Sequence, residues 1–177
     1  FAFYDFAAPG DDQELFDHFK KYFDLYHKYD SEFYVLHAFN NIDCESGEKC
    51  ADEYRERIFE RIAKFDEICA AEGVKLAVEN TFGNPYNLFT QDQWLDMFAQ
   101  LPKLHSLIDV GHALVSGMDV AQLQKTLGSR IVGYHLHNND GTRDAHNRLR
   151  EGCMDWNQFA ENAKLYTPDA TGIIEYL

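Results

Sequence analysis

An α/β fold built around a parallel sheet is what this sequence predicts, and three observations carry the prediction. Short apolar, β-branched runs alternate with longer segments of helical periodicity, the pattern of repeated βα units. Five of those runs carry a potential metal ligand at or near the C-terminal end. No GxGxxG or GxxxxGK loop follows the first run, as a doubly wound open sheet would require. A (β/α)8 TIM barrel fits all three. A full barrel takes about 250 residues. The expectation is therefore one domain spanning 1–177, lacking the first two βα units and the closing helix.

The elements follow in order. FAFYDF at the start reads as a strand, broken by Pro9 and Gly10, with Asp11 placed to cap a helix whose apolar positions are Leu15, Phe16, Phe19, Phe23 and Tyr26. FYVLHAF (33–39) is the next strand. After the polar loop NNIDCESGEKC, a helix from about Ala51 to Glu72 aligns Tyr54, Ile58, Ile62, Phe65 and Cys69, and Gly73 ends it. VKLAVEN is a strand, followed by a loop with Gly83, Asn84 and Pro85 and the helix QDQWLDMFAQL. Then come the strand HSLIDVGH, the helix MDVAQLQKTLG, the strand RIVGYHLH, a loop from Asn138 to Met154, the helix DWNQFAENAKLY and the strand TGIIEYL. The reading gives six strands and five helices, with no linker or low-complexity segment.

Composition bounds the function. A net charge of −14, from 16 Lys and Arg against 30 Asp and Glu, opposes binding to a phosphate backbone and leaves small neutral substrates open. No apolar stretch approaches the roughly 20 residues of a membrane span, and the chain opens on no signal segment. Cys44, Cys50, Cys69 and Cys153 are too few and too scattered for a disulfide scaffold or a zinc knuckle, so they read as reduced thiols of a cytoplasmic protein.

The polar residues that end the strands are His37, Glu79, Asp109 with His112, His135, and Glu175. In a parallel barrel they converge on one rim, where active sites of this architecture are built. Burying several carboxylates together is costly without compensation, and a divalent cation is the simplest compensation. A mostly oxygen donor set suits Mn, Mg, Co or Zn. In the long loop, Asp144 and His146 flank one residue, so an extended backbone would point them the same way, able to hold a metal with His112.

With VEN, DVGH and HLHNNDGTRDAHNRLREGCMDW in view, the sequence resembles the xylose isomerase-like barrel superfamily, which joins sugar isomerases and epimerases to type IV apurinic endonucleases. The resemblance runs from FAFYDFAAPGD to GIIEY. It implies one catalytic divalent metal held by Glu79, Asp109, His135 and Glu175, with Glu79 and Glu175 also acting as acid and base. Its endonuclease-like branch implies further metals at His37, His112, Asp144 and His146. Asn80 and Arg148 are the expected substrate contacts. The sequence departs from the family's pattern at LREG, where LGEG is usual, and at Asn138, where aspartate is common; a further family histidine would fall just before Phe1.

Two activities stand open. One is a metal-dependent sugar or sugar-phosphate isomerase or epimerase, moving a proton through an enediolate on a sugar or polyol, in an enzyme compatible with a homo-oligomer. The other is a zinc phosphodiesterase acting on abasic DNA. The charge balance favours the sugar enzyme, and only Arg143, Arg148 and Arg150 supply cations to the visible rim loops. A barrel that binds ligand without catalysis is a third reading.

Overall fold

The computed structural model describes residues 6–7, 9–37, 48–82 and 88–176, the side chains of 48–51 excepted. Two short helices open it, α1 (Asp12–Lys20) and α2 (Phe23–Lys28), followed by strand β1 (Tyr34–Leu36) and the long helix α3 (Glu48–Ala71). Next are β2 (Leu76–Glu79), α4 (Gln91–Gln100), β3 (His105–Asp109), α5 (Val110–Val115) and α6 (Val120–Leu127). A 3-10 turn leads into β4 (Ile131–Leu136), and α7 (Trp156–Tyr166) and β5 (Thr171–Ile174) complete the described chain. The first expected strand lies almost wholly outside the described residues.

Among the described residues five strands form one parallel sheet, in the order β1-β2-β3-β4-β5. The sheet curls into a half-barrel: Thr171 Oγ1, on the first residue of β5, donates to Glu32 Oε2, two residues before β1, at 2.7 Å. Phe33 packs into this curl, and its ring tip lies 2.6 Å from where a Cβ on Gly133 would stand, so only glycine admits it there. Every residue of β2 is buried, as expected for a strand covered on both faces.

Helices clamp the outside through the faces their periodicity defines. Ile58, Ile62, Phe65 and Cys69 of α3 have no exposed surface. The Phe65 ring meets those of Phe6, Phe16, Phe19, Phe23 and Tyr34, making it the hub of one half of the core. Trp94 and Phe98 of α4 anchor the other half. Burial pushes the Cys69 thiol up to about 12, with Asp66 adding to the effect, so it behaves as inert filler.

Two helices differ from expectation. The segment 12–28 is broken, because Tyr22 N–H turns back to the Phe19 carbonyl at 3.2 Å, and the break brings Phe23 against Tyr34 and Phe65. Asp11 caps α1 as predicted, accepting from Gln13 N–H and Glu14 N–H. The strand HSLIDVGH stops at Asp109, and VGHALV becomes α5. Asp109 is its N-cap, accepting from His112 N–H at 2.7 Å. Among the described residues, no helix is long and apolar enough to cross a membrane.

Candidate metal centre

Strand register assembles the rim. Glu79 ends β2 and Asp109 ends β3, while the register sets Asp109 directly beside His135 of β4. Glu79 Oε1 lies 3.2 Å from His135 Nδ1 and Asp109 Oδ2 lies 3.6 Å from the same nitrogen. One imidazole nitrogen thus faces two carboxylates, with all three ligand atoms within 4.8 Å of one another. The side chains of Glu79 and Asp109 are 7% and 1% exposed, so water cannot carry their charge.

Electrostatics follow from this crowding. Burial alone would discharge His135, but Asp109 and Glu79 outweigh it and raise its pKa to about 10. Burial likewise opposes a charged His112, yet Asp144, Asp109 and the Asn80 carbonyl lift it to about 9. Burial would raise Asp109; hydrogen bonds with His135 and His137 instead hold its carboxyl well below the usual carboxylate range. The protons of two histidines therefore balance the buried carboxylates, a task that one divalent cation could perform with the same oxygen and nitrogen donors.

Glu175 arrives from the opposite side. Its Oε1 lies 3.5 Å from His135 Nε2, and its side chain is 35% exposed. Three of the four expected ligands therefore gather at Nδ1, while the fourth stands at the other ring nitrogen. His37, one residue beyond β1, is exposed and groups with Glu79 and His112.

Asn80, expected at the substrate, is turned onto the main chain of Asp109. Its Oδ1 accepts from Asp109 N–H at 2.7 Å, its amide donates to the Asp109 carbonyl at 3.0 Å, and it has no exposed surface. Its own carbonyl accepts from His112 Nδ1 at 2.9 Å. Asn80 is thus a clasp between two strand ends. Arg148, the other expected substrate contact, has an exposed side chain.

A second group forms where the long loop folds back. Asn138 and Asn147 exchange backbone hydrogen bonds, and Asn138 Oδ1 accepts from the N–H groups of Asn139 and Met154 while its amide donates to the Leu149 carbonyl at 2.8 Å. An aspartate could not make that last bond, which accounts for an asparagine here. The loop brings Asp144 Oδ2 to 3.1 Å from His146 Nε2 and 3.6 Å from His112 Nε2. The pair does not converge through an extended segment, since His146 has a left-handed backbone, φ 46°.

His137 is the residue that sequence reasoning missed. It has no exposed surface, its Nε2 lies 3.0 Å from Asp109 Oδ1, and its ring stacks on His146 at 3.9 Å. Its Nδ1 and Asp144 Oδ1 face each other at 3.7 Å, and among the described residues neither has a hydrogen-bond partner. The signal was the alternation H-L-H, which puts His135 and His137 on one face of an extended segment. A Cβ on Gly111 would lie 1.8 Å from the His137 ring. Gly111→Ala is expected to lower the unfolding free energy by roughly 1–3 kcal/mol through overpacking, read as a lower denaturant midpoint at unchanged slope.

Comparisons with known proteins bear on the fold and the family. A crystal structure of a D-tagatose 3-epimerase-like protein superposes with TM-score 0.78 at 22% identity, over 99% of this chain and 68% of that one. D-psicose 3-epimerase from Clostridium cellulolyticum H10, solved with D-tagatose, gives 0.76 at 17% identity, over 98% and 61%. The IolI protein with a binding zinc atom gives 0.72 at 16% identity, over 93% and 60%. The chain thus spans about three fifths to two thirds of these proteins, and at such identities the likeness is one of fold. No curated protein sequence matches significantly. A family model, however, matches residues 1–174, nearly the whole sequence, and by that match the chain belongs to the xylose isomerase-like TIM barrel family.

Proposed function

We propose that this chain carries the catalytic rim of a divalent-metal-dependent sugar or sugar-phosphate isomerase or epimerase, with Glu79 and Glu175 as its paired acid and base. The observation that carries the reading is the placement of these two carboxylates on opposite nitrogens of one imidazole, at 3.2 and 3.5 Å from His135. Glu79, Asp109 and His135 would hold the ion, and Glu175, which faces the other ring nitrogen of His135 here, would have to turn toward it to complete the shell. When bound, a divalent cation supplies Lewis-acid polarisation of a substrate carbonyl and hydroxyl. The fold shared with proteins described as D-tagatose 3-epimerase-like and D-psicose 3-epimerase supports a ketose as substrate.

The chain's own residues then divide the work. One glutamate removes the proton beside the carbonyl and the other delivers a proton to the opposite face, their roles exchanging with the direction of reaction. Asp109 and Asn80 fix His135 and His112 so that neither glutamate has to reorganise as charge moves. Glu175, at 35% exposed, trades protons with water more readily than Glu79, at 7%.

The full natural protein is expected to incorporate solvent deuterium into a carbon-bound position of a ketose, in a reaction abolished by chelation and restored by Mn, Mg, Co or Zn. Uptake into product should be greater in the direction that uses Glu175 as acid, because the deuterium enters from the group that delivers it. The group formed by His112, His137, Asp144 and His146 favours a second reading, a multi-metal phosphodiesterase. Abasic-site cleavage that depends on His112, Asp144 and His146, with affinity falling steeply as salt rises, would overturn the epimerase in favour of that reading.

A further inference from the structure

We propose that His146 is a positioning residue for Glu175, acting through its Nδ1–H, and that the loop carrying it is a strut between the two catalytic strand ends. The inference rests on the reading of Glu175 as acid and base. His146 Nδ1 lies 3.0 Å from the main-chain carbonyl of Glu175. A carbonyl only accepts, so this nitrogen is the donor, while the other ring nitrogen, Nε2, faces Asp144 Oδ2 at 3.1 Å. On the far side of Asp144, His112 repeats the arrangement: Nε2 stands 3.6 Å from Oδ2 and Nδ1 donates to the carbonyl of Asn80, the residue after Glu79. A continuous line of polar contacts thus runs from the end of β2 to the end of β5, with Asp144 at its midpoint.

Two further features keep the line in place. His146 holds a left-handed backbone, φ 46°, a conformation that an unconstrained histidine adopts seldom. Its ring lies flat on that of His137, 4° from parallel, and His137 is wholly buried in the space left by Gly111. β5 needs such support, since Ile173 and Ile174 are 36% and 57% exposed and it pairs only with β4 among the described strands. The strut sets where Glu175 stands relative to Glu79.

Paired substitutions test the assignment, because asparagine and glutamine imitate different nitrogens of the ring. Asparagine places an amide donor near the Nδ1 position and tolerates left-handed backbone; glutamine reaches the Nε2 position and leaves the Glu175 carbonyl without its donor. In the full natural protein, H146N is expected to keep at least a third of kcat. H146Q should lose tenfold or more in kcat with KM within twofold, and thermal midpoints should not separate the two. Independently of activity, NMR of 15N-histidine, 13C-glutamate protein should give a protonated His146 Nδ1 coupled to the Glu175 carbonyl. The Glu175 carboxylate line should be sharp in wild type and H146N and broadened or doubled in H146Q. The reverse order, with H146Q active and H146N inactive, would assign His146 to a ligand role through Nε2 and overturn the proposal, as would an unprotonated Nδ1. If the wild type turns over no ketose, the epimerase reading fails and the NMR alone decides the position of Glu175.

Discussion

Glu79→Gln and Glu175→Gln are each expected to lower kcat by about 10²–10⁴-fold, the range that a positioned general acid or base contributes. Glutamine nearly preserves volume and keeps an oxygen that can accept from His135, so packing at 3.2 and 3.5 Å survives while the capacity to carry a proton is lost. The two variants should differ in exchange. E175Q removes the more exposed carboxylate, so solvent deuterium uptake should fall further than in E79Q at equal kcat. Circular dichroism and thermal midpoints should stay close to wild type for E175Q. Either variant retaining a third of wild-type kcat with metal bound would remove that glutamate from the acid–base pair.

Metal loading is expected to depend on pH in a direction set by the histidines. The folded pKa values, about 9 for His112 and about 10 for His135, lie above the unfolded value near 6.5. Their contribution to metal-free stability is therefore complete below about pH 6.5 and is lost as pH rises through 9 to 10. The Asp109 and Asp144 carboxyls are held below the usual carboxylate range by their histidine neighbours and so do not titrate in this window. A cation that displaces these protons should bind more tightly as pH rises, by about tenfold per pH unit for each proton released. The difference in melting temperature between metal-loaded and chelator-treated protein should widen steadily from pH 6.5 to 10. A difference that stays flat or narrows would mean that the ion does not replace these protons.

Much of this rim was legible in the sequence because strand ends and turn chemistry are local signals. Glu79, Asp109 and His135 stood out as polar residues interrupting buried runs, and a parallel sheet leaves such residues one direction in which to converge. The helix after Asp109 was not legible, since valine and glycine are weak helix formers, and it exists through the cap on His112 N–H and the Asn80 clasp, both tertiary facts. Asn80 is expected at the substrate, but its amide is consumed by a strand 29 positions away in sequence, a tertiary contact that spacing does not show. His137 escaped because its role depends on the hollow at Gly111, which nothing local announces. Glu175 was found as a residue, yet its place at Nε2 rather than Nδ1 of His135 depends on how β5 docks, which spacing alone does not fix.

The register between β3 and β4 slips by one residue: Ser106 partners Ile131, but Leu107 partners Gly133, leaving Val132 without an opposite number. Counted without the slip, Asp109 would meet Tyr134, and His135 would face the helices. The irregularity works like a gear tooth that sets the phase of everything downstream. A chain with one residue inserted after Val132, the slip staying a single residue, would contain every residue of the candidate metal centre, yet present a phenol to Asp109 where the imidazole now stands. A motif inventory of this chain would accordingly be blind to a single-residue insertion that moves the imidazole away from Asp109.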